Sequence, residues 1–114
     1  MNTTQMLPPA EALALHALIN PTEHGIASRI LAKTGGGNFT LFAFDAGQGL
    51  TEHTSSFDAY AMVLEGELLL TIGGCVVRAT QGTIVRMPAG VPHGLEAPGP
   101  ARMLLLMLRE QASA

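Results

Sequence analysis

Short runs of β-branched and apolar residues, separated by Gly-rich and Pro-rich turns, recur from residue 25 to residue 108. This pattern predicts strands over residues 25–33, 39–44, 51–57, 59–64, 67–72, 75–78, 83–87 and 102–108. The pair Gly73-Gly74 predicts a two-residue hairpin, because both turn positions can take a positive φ. Neither βαβ alternation nor coiled-coil heptads compete with these strands, so the chain is expected to be all-β, a barrel or a sandwich.

The first 24 residues have a different pattern. Apolar residues recur at helical spacing between residues 10 and 19, with Pro9 near the start and Pro21 just past the end. This spacing predicts a short amphipathic helix or helical turn. We therefore expect an N-terminal extension with a short helix over 1–24, one β-barrel domain over 25–109 and a disordered tail over 110–114.

The most specific stretch of the sequence is a strand that ends in a stiff turn. The apolar run 83–87 is followed by Pro88, Gly90 and Pro92, which stop the strand from continuing. Proline fixes φ and glycine admits a positive φ, so the turn has a defined shape. His93 leaves this turn at a fixed angle.

The spacing of Gly82, Pro88, Gly90 and His93 resembles the second signature motif of the cupin superfamily. Only the Asn that often closes that motif is missing, since Ala97 stands in its place. The resemblance covers roughly residues 25–108. It implies a cupin-type double-stranded β-barrel, jelly-roll-like, of the small single-domain type.

The first cupin motif is matched in part. Gly47, His53 and Gly66 stand at its positions, whereas Ser55 replaces the usual second His and Ala59 replaces the usual Glu. The family's metal site is commonly three His and one Glu. The resemblance places the two remaining histidines on adjoining strands that face one cavity.

A mainly apolar pocket with a few polar groups is expected inside the barrel, because Met and aromatic residues lie on several predicted core strands and Met adapts to irregular guests. The residues predicted to bind a ligand are His53, Ser55, Tyr60, Met87, His93 and Met103. No catalytic residue is predicted.

His53 and His93 can also begin a site for Zn, Ni, Fe, Mn or Cu, although catalytic metal sites normally have three protein ligands. The candidates for the remaining metal ligands are Glu52 or Asp58 through a local twist, His24 from an adjacent segment, or water alone. The alternative is a pair of metal-free pocket histidines that hydrogen-bond to backbone or water.

Composition limits the classes of partner that the protein is expected to bind. Net charge is −3 and the six basic residues are scattered, which argues against nucleic acid or an anionic membrane surface. No apolar stretch reaches the ~20 residues of a membrane helix, and no signal peptide is visible. The single cysteine, Cys75, is expected to be buried and fits a reducing compartment. We therefore expect a cytoplasmic protein. The hydrophobic fraction of 47% with only 13% charged residues favours a homodimer, formed through residues 26–31 and 102–108.

Three functions follow from these patterns. The first is a stand-alone cupin that binds a small molecule in an apolar pocket, with His53 and His93 as polar anchors. The second is a divalent-metal-dependent enzyme of the dioxygenase, isomerase or lyase type, in which the metal activates oxygen or polarises a carbonyl. The third is a structural or regulatory dimer module.

Overall fold

Ten strands and one short turn of 3-10 helix form the fold, which is taken from a computed structural model that describes residues 2–4 and 7–109. The strands are β1 (Asn2–Thr4), β2 (Ile26–Thr34), β3 (Gly37–Phe44), β4 (Gly49–His53), β5 (Phe57–Glu65), β6 (Glu67–Ile72), β7 (Cys75–Thr80), β8 (Ile84–Met87), β9 (His93–Glu96) and β10 (Ala101–Arg109). The 3-10 turn is Leu15–Ala17. In the described part of the chain, no helix is long and apolar enough to span a membrane.

The strands form two sheets. A six-stranded sheet has the order β1-β2-β3-β10-β5-β8, and a four-stranded sheet has the order β4-β9-β6-β7. Every neighbouring pair is antiparallel except β1 and β2, which are parallel. The all-β prediction and the cupin-type barrel are confirmed.

The main core lies between the two sheets. Phe44, Val63 and Met103 of the six-stranded sheet and Leu68 and Leu70 of the four-stranded sheet are almost completely buried and belong to one cluster. Side chains alternate between the faces of a strand, so every second residue reaches this core. The same alternation defines an outer face for each sheet.

The N-terminal segment, residues 7–19, covers part of the outer face of the six-stranded sheet. Ile19 is buried there in a second cluster, together with Leu31 and Leu41. Two arginines of the sheet hold the segment: Arg29 Nη1 donates to the carbonyl oxygen of Leu18, and Arg102 Nε donates to that of Ile19. Some of the apolar surface of residues 26–31 is therefore covered by the protein's own chain.

Of the short helix or helical turn predicted over residues 10–19, only the 3-10 turn Leu15–Ala17 forms. Ala10 has a φ of 59°, in the left-handed region, and the turn has no side-chain cap. Leu13 and Leu15 remain more than a third exposed, so this part of the apolar stripe is not packed against the sheet. An isolated helix this short is marginal without such packing.

Several boundaries also differ from the prediction. The predicted strand 51–57 is interrupted, because β4 ends at His53 and β5 begins at Phe57. β1 and β9 were not predicted. Cys75, predicted to be buried, is exposed at the start of β7. The predicted tail, 110–114, lies outside the described residues.

Candidate functional site

The fold brings the two motif histidines together. His53 ends β4 and His93 begins β9, and the two residues are direct partners in the antiparallel pairing of these strands. Their ring centroids are 4.5 Å apart, with the planes inclined at 63° in an edge-on arrangement. The two imidazoles therefore form one local site.

The turn 88–92, which precedes His93, is hydrogen-bonded to Asp58 of β5 and to Ser55, just before that strand. The backbone N–H of Ala89 donates to Oδ1 of Asp58 at 3.0 Å, and the N–H of Gly90 donates to the carbonyl oxygen of Ser55 at 2.9 Å. These bonds fix the turn at two successive residues. They limit the positions that His93 can take.

Asp58 is the charged anchor of this turn. Its carboxylate also accepts hydrogen bonds from Nε and Nη2 of Arg86, the latter at 2.9 Å. The N–H of Ala89 and then the Arg86 guanidinium lower the pKa of Asp58 below its ordinary value of 3.8. The Asp58 carboxylate therefore holds the turn in place through its hydrogen bonds.

The depressed pKa of Asp58 predicts acid sensitivity. A carboxylate whose pKa is lower in the folded state stabilises the protein above its unfolded pKa, and this contribution is lost as the pH falls through the folded value. Asp58→Asn, which keeps an acceptor for Ala89, should therefore flatten the decline in unfolding free energy below about pH 4. Urea denaturation at several pH values measures this effect.

Asp45→Asn is the matched control. The backbone N–H groups of His24 and then Ala46 lower the pKa of Asp45, so this variant should also flatten the acid limb of the curve. Only Asp58→Asn should in addition shift the NMR signals of the His93 ring. A pH dependence of Asp58→Asn that superimposes on wild type would contradict the assignment.

Both imidazoles use the same ring nitrogen for a local backbone bond. His53 Nδ1 lies 2.9 Å from the carbonyl oxygen of Thr51, and His93 Nδ1 lies 3.1 Å from that of Val91. A carbonyl oxygen can only accept, so Nδ1 carries the proton in each bond. In a neutral imidazole the lone pair is then on Nε2.

The two rings differ in burial. His93 is only 6% exposed, whereas His53 is an exposed residue. His93 therefore lies in the interior of the site and His53 at its opening to solvent.

A cavity of about 280 Å³ adjoins both histidines. Its lining is otherwise apolar and comes from both sheets. The lining residues are Phe42, Leu50, His53, Ala59, Met87, His93, Gly94, Leu95, Met103, Leu105 and Met107. The cavity therefore combines an apolar lining with two imidazole groups.

The structure brings together four of the six residues predicted to bind a ligand, namely His53, His93, Met87 and Met103. Ser55 and Tyr60 are not in the lining. Ser55 lies between β4 and β5, where its Oγ accepts from the N–H of Phe57. Tyr60 alternates with buried Ala59 and Ala61 and so lies on the outer face of its sheet.

Sequence reasoning missed several apolar lining residues. Leu105 lies between Met103 and Met107 on the inward face of β10, and Leu95 is two residues after His93. Period-two spacing from a known inward residue is the signal that would have found them.

None of the three side chains considered as a further metal ligand lines this cavity. Glu52 lines a separate open pocket, Asp58 is paired with Arg86, and Nε2 of His24 lies 3.4 Å from a carboxylate oxygen of Glu23. The described part of the chain contains no group of three or more His, Cys, Asp or Glu side chains that could hold a metal ion. A metal at this site would have two protein ligands, His53 and His93.

The two facing sheets, the paired motif histidines and the pocket between the sheets define a protein of the double-stranded β-barrel class. The family model described as "Cupin domain" matches residues 40–108, so the chain belongs to the cupin family. Comparison with curated proteins gives no significant match.

Solved structures of similar proteins agree with this assignment. A conserved protein of unknown function from Streptococcus pyogenes is 31% identical, with a TM-score of 0.87 over 93% of each chain. A cupin superfamily protein from Desulfitobacterium hafniense is 26% identical, with a TM-score of 0.85 over 91% of this chain and 95% of the other. A cupin 2 conserved barrel domain protein from Leptotrichia buccalis is also 26% identical, with a TM-score of 0.80 over 82% of this chain and 46% of its own.

Proposed function

We propose that this cupin binds a small, mainly apolar molecule in the internal cavity, with a polar group of that molecule held by His53 and His93. One observation carries the proposal. Among the residues that line the cavity, the two adjacent histidines are the only polar side chains. Ligand sites typically combine an apolar lining with a few convergent polar groups in this way.

Cavity size limits the ligand. A volume of about 280 Å³ is close to the lower end of the usual range for ligand pockets, about 300 Å³. Met87, Met103 and Met107 supply flexible thioether chains that can adapt to a guest. The ligand class is therefore a compact hydrocarbon or aromatic body with one polar end.

Thermal shift measurements on a panel of such compounds test the proposal. A ligand that binds only the folded state raises Tm, and the increase grows with the logarithm of its concentration once this exceeds Kd. At least one compound should raise the Tm of metal-free protein. If none does so, while a divalent metal alone does, the metal proposal replaces this one.

A divalent metal is the second candidate, because each histidine has Nε2 available while Nδ1–H is bonded to a backbone carbonyl. Metal-ligating histidines usually have such a second hydrogen bond. Zn, Ni, Fe, Mn and Cu are all compatible with imidazole ligands, and a bound ion would supply Lewis-acid or oxygen chemistry. Elemental analysis of tag-free protein before and after metal reconstitution tests this candidate; no bound metal in either sample would remove it.

Homodimer formation remains a prediction. Phe39, Ile84 and Leu108 are 43%, 60% and 45% exposed, and by alternation they lie on the outer face of the six-stranded sheet, beside the part that the N-terminal segment covers. Exposed apolar surface of this kind favours association. Light scattering should give twice the monomer mass of 11.9 kDa for wild type and the monomer mass for Ile84→Arg.

A monomeric wild type at micromolar concentration would contradict the dimer. Leu13→Arg, at an exposed position on the N-terminal segment, is the control and should leave the wild-type mass unchanged. The cytoplasm remains the predicted compartment.

A further inference from the structure

We infer that the cavity selects a ligand whose polar group donates a hydrogen bond, such as a hydroxyl or a neutral N–H group, and that it rejects carboxylates and simple carbonyl acceptors. This inference rests on the proposed function and assigns the chemical class of the ligand. It follows from the orientation of the two imidazoles and from the rest of the cavity lining.

The first step is the position of the ring protons. Both imidazoles direct Nδ1 at the carbonyl oxygen two residues earlier, at 2.9 Å for His53 and 3.1 Å for His93. Two independent bonds of the same kind hold the same tautomer in both rings. Each neutral ring then presents Nε2 as an acceptor.

The second step concerns the side from which Nε2 of His93 is accessible. Nε2 of His93 forms no hydrogen bond within the described residues. Among these residues, Nε of Arg29 is the only side-chain polar atom that is both completely buried and without a hydrogen-bond partner. Nε2 of His93 therefore keeps some accessible surface. Because the residue is only 6% exposed and lines the cavity, we place that surface in the cavity.

The third step is that the lining side chains, apart from the two histidines, carry no hydrogen-bond donor. Apart from the two histidines, the lining side chains are those of Ala, Leu, Met and Phe, with one Gly. Gly94 of β9 pairs with Thr71 of β6, and on its other side the register between β4 and β9 is irregular from Leu50 to His53. A carboxylate or carbonyl placed here would lose its water and face two lone pairs, which is costly for a buried polar group.

A hydrogen-bond donor on the ligand, in contrast, complements these two lone pairs. Its hydrogen can be shared with Nε2 of His93 or of His53, while its apolar body replaces water along Met103, Leu105 and Met107. Phenol has these two features in the smallest form. Three analogues keep the aromatic ring. Anisole lacks the hydrogen-bond donor, toluene lacks the whole polar group, and benzoate carries a negative charge in place of a neutral group.

Binding of these four probes to metal-free protein tests the inference. At about pH 8, an ordinary imidazole and phenol are both neutral. Phenol should bind about tenfold tighter than anisole or toluene, and benzoate should not bind measurably. Equal affinities for phenol and anisole, or tighter binding of benzoate, would overturn the donor inference but leave the apolar pocket standing.

His53→Phe is the informative variant, because His53 is exposed and its ring can be replaced without opening the core. It removes one acceptor and should reduce the preference for phenol over anisole. His16→Phe, on the N-terminal segment away from the cavity lining, is the matched control and should keep the wild-type preference. Failure of all four probes to bind wild type would contradict both this inference and the proposed function.

NMR of ¹⁵N-labelled imidazoles gives a test that needs no ligand. His53 and His93 should both show the Nδ1–H tautomer in the free protein, whereas the exposed His16 and His24 serve as internal references. An Nε2–H tautomer at His53 or His93 would overturn the inference, whatever the probes show.

Discussion

Ala59→Glu should destabilise the metal-free protein by about 3–5 kcal/mol and, in the same variant, create a three-ligand metal site. Ala59 is 1% exposed, lines the cavity with His53 and His93, and pairs across the sheet with Met87 and Met107. An introduced carboxylate would therefore be buried among apolar side chains. Only a bound cation or a proton would relieve that cost.

Zinc or nickel should restore much of the lost stability. An ion at a concentration 100 times its Kd adds about 2.7 kcal/mol when it binds the folded state alone. Urea denaturation with and without metal, together with metal titration, measures both halves of the prediction. Two imidazoles and a carboxylate are a common ligand set for a divalent ion.

Two control variants separate the site from general effects of the substitution. Ala59→Gln has nearly the same shape without the charge and should gain no metal affinity. Ser55→His restores the family's histidine at a position outside the cavity lining and should add less than Ala59→Glu. If Ala59→Glu folds but binds no more metal than wild type, the side chains of Ala59, His53 and His93 do not converge.

His93→Ala should weaken ligand binding by about tenfold or more while unfolding free energy falls by only about 1–2 kcal/mol. His93 is the buried polar group of the cavity, and its side chain has one hydrogen bond to a described residue, from Nδ1 to the carbonyl oxygen of Val91. Truncation removes an anchor for the ligand but takes no side chain from the central apolar cluster. Phenol titration and urea denaturation measure the two effects.

His16→Ala is the matched control, since it removes an exposed imidazole far from the lining and should alter neither quantity. The result that would contradict this account is a loss of more than about 3 kcal/mol in His93→Ala with unchanged phenol affinity. His93 would then be a structural residue.

Much of the fold could be predicted from the sequence because strand alternation and turn residues are local signals. β3, apolar on both faces, lies between β2 and β10 with a cluster on each side. Gly66, the last glycine of the first motif, has a φ of 77°, and a Cβ there would collide with the carbonyl oxygen of Pro100. Such a residue is required by backbone geometry, so its spacing is informative.

The N-terminal segment could not be predicted in the same way. Its helical spacing is real, but Leu7, Leu18 and Ile19, which join the second cluster, lie at the two ends of the segment, and Arg29 and Arg102 bond to the backbone at the second of these ends. β9 is only four residues long and follows a Pro-rich turn, so its local signal is weak. Tertiary contacts decide the structure in both places.

Prediction of the site depended on where alternation holds. His53 and His93 are strand residues, and their pairing agrees with the cupin resemblance. The alternation assumed from His53 to Ala59 fails at Ser55, because residues 54–56 lie outside any strand. Ala59 returns to the inward face only because β5 begins a new register at Phe57.

Methyl NMR of methionine-labelled protein tests the central claim most directly. Met87, Met103 and Met107 line the cavity, whereas Met62 alternates with the buried Ala61 and Val63 and so lies on the outer face of β5. On titration with phenol, the three cavity methyl signals should shift together with a single Kd, and the Met62 signal should stay in place. Shifts confined to Met62, or no shift at any of the four, would contradict ligand binding in the barrel.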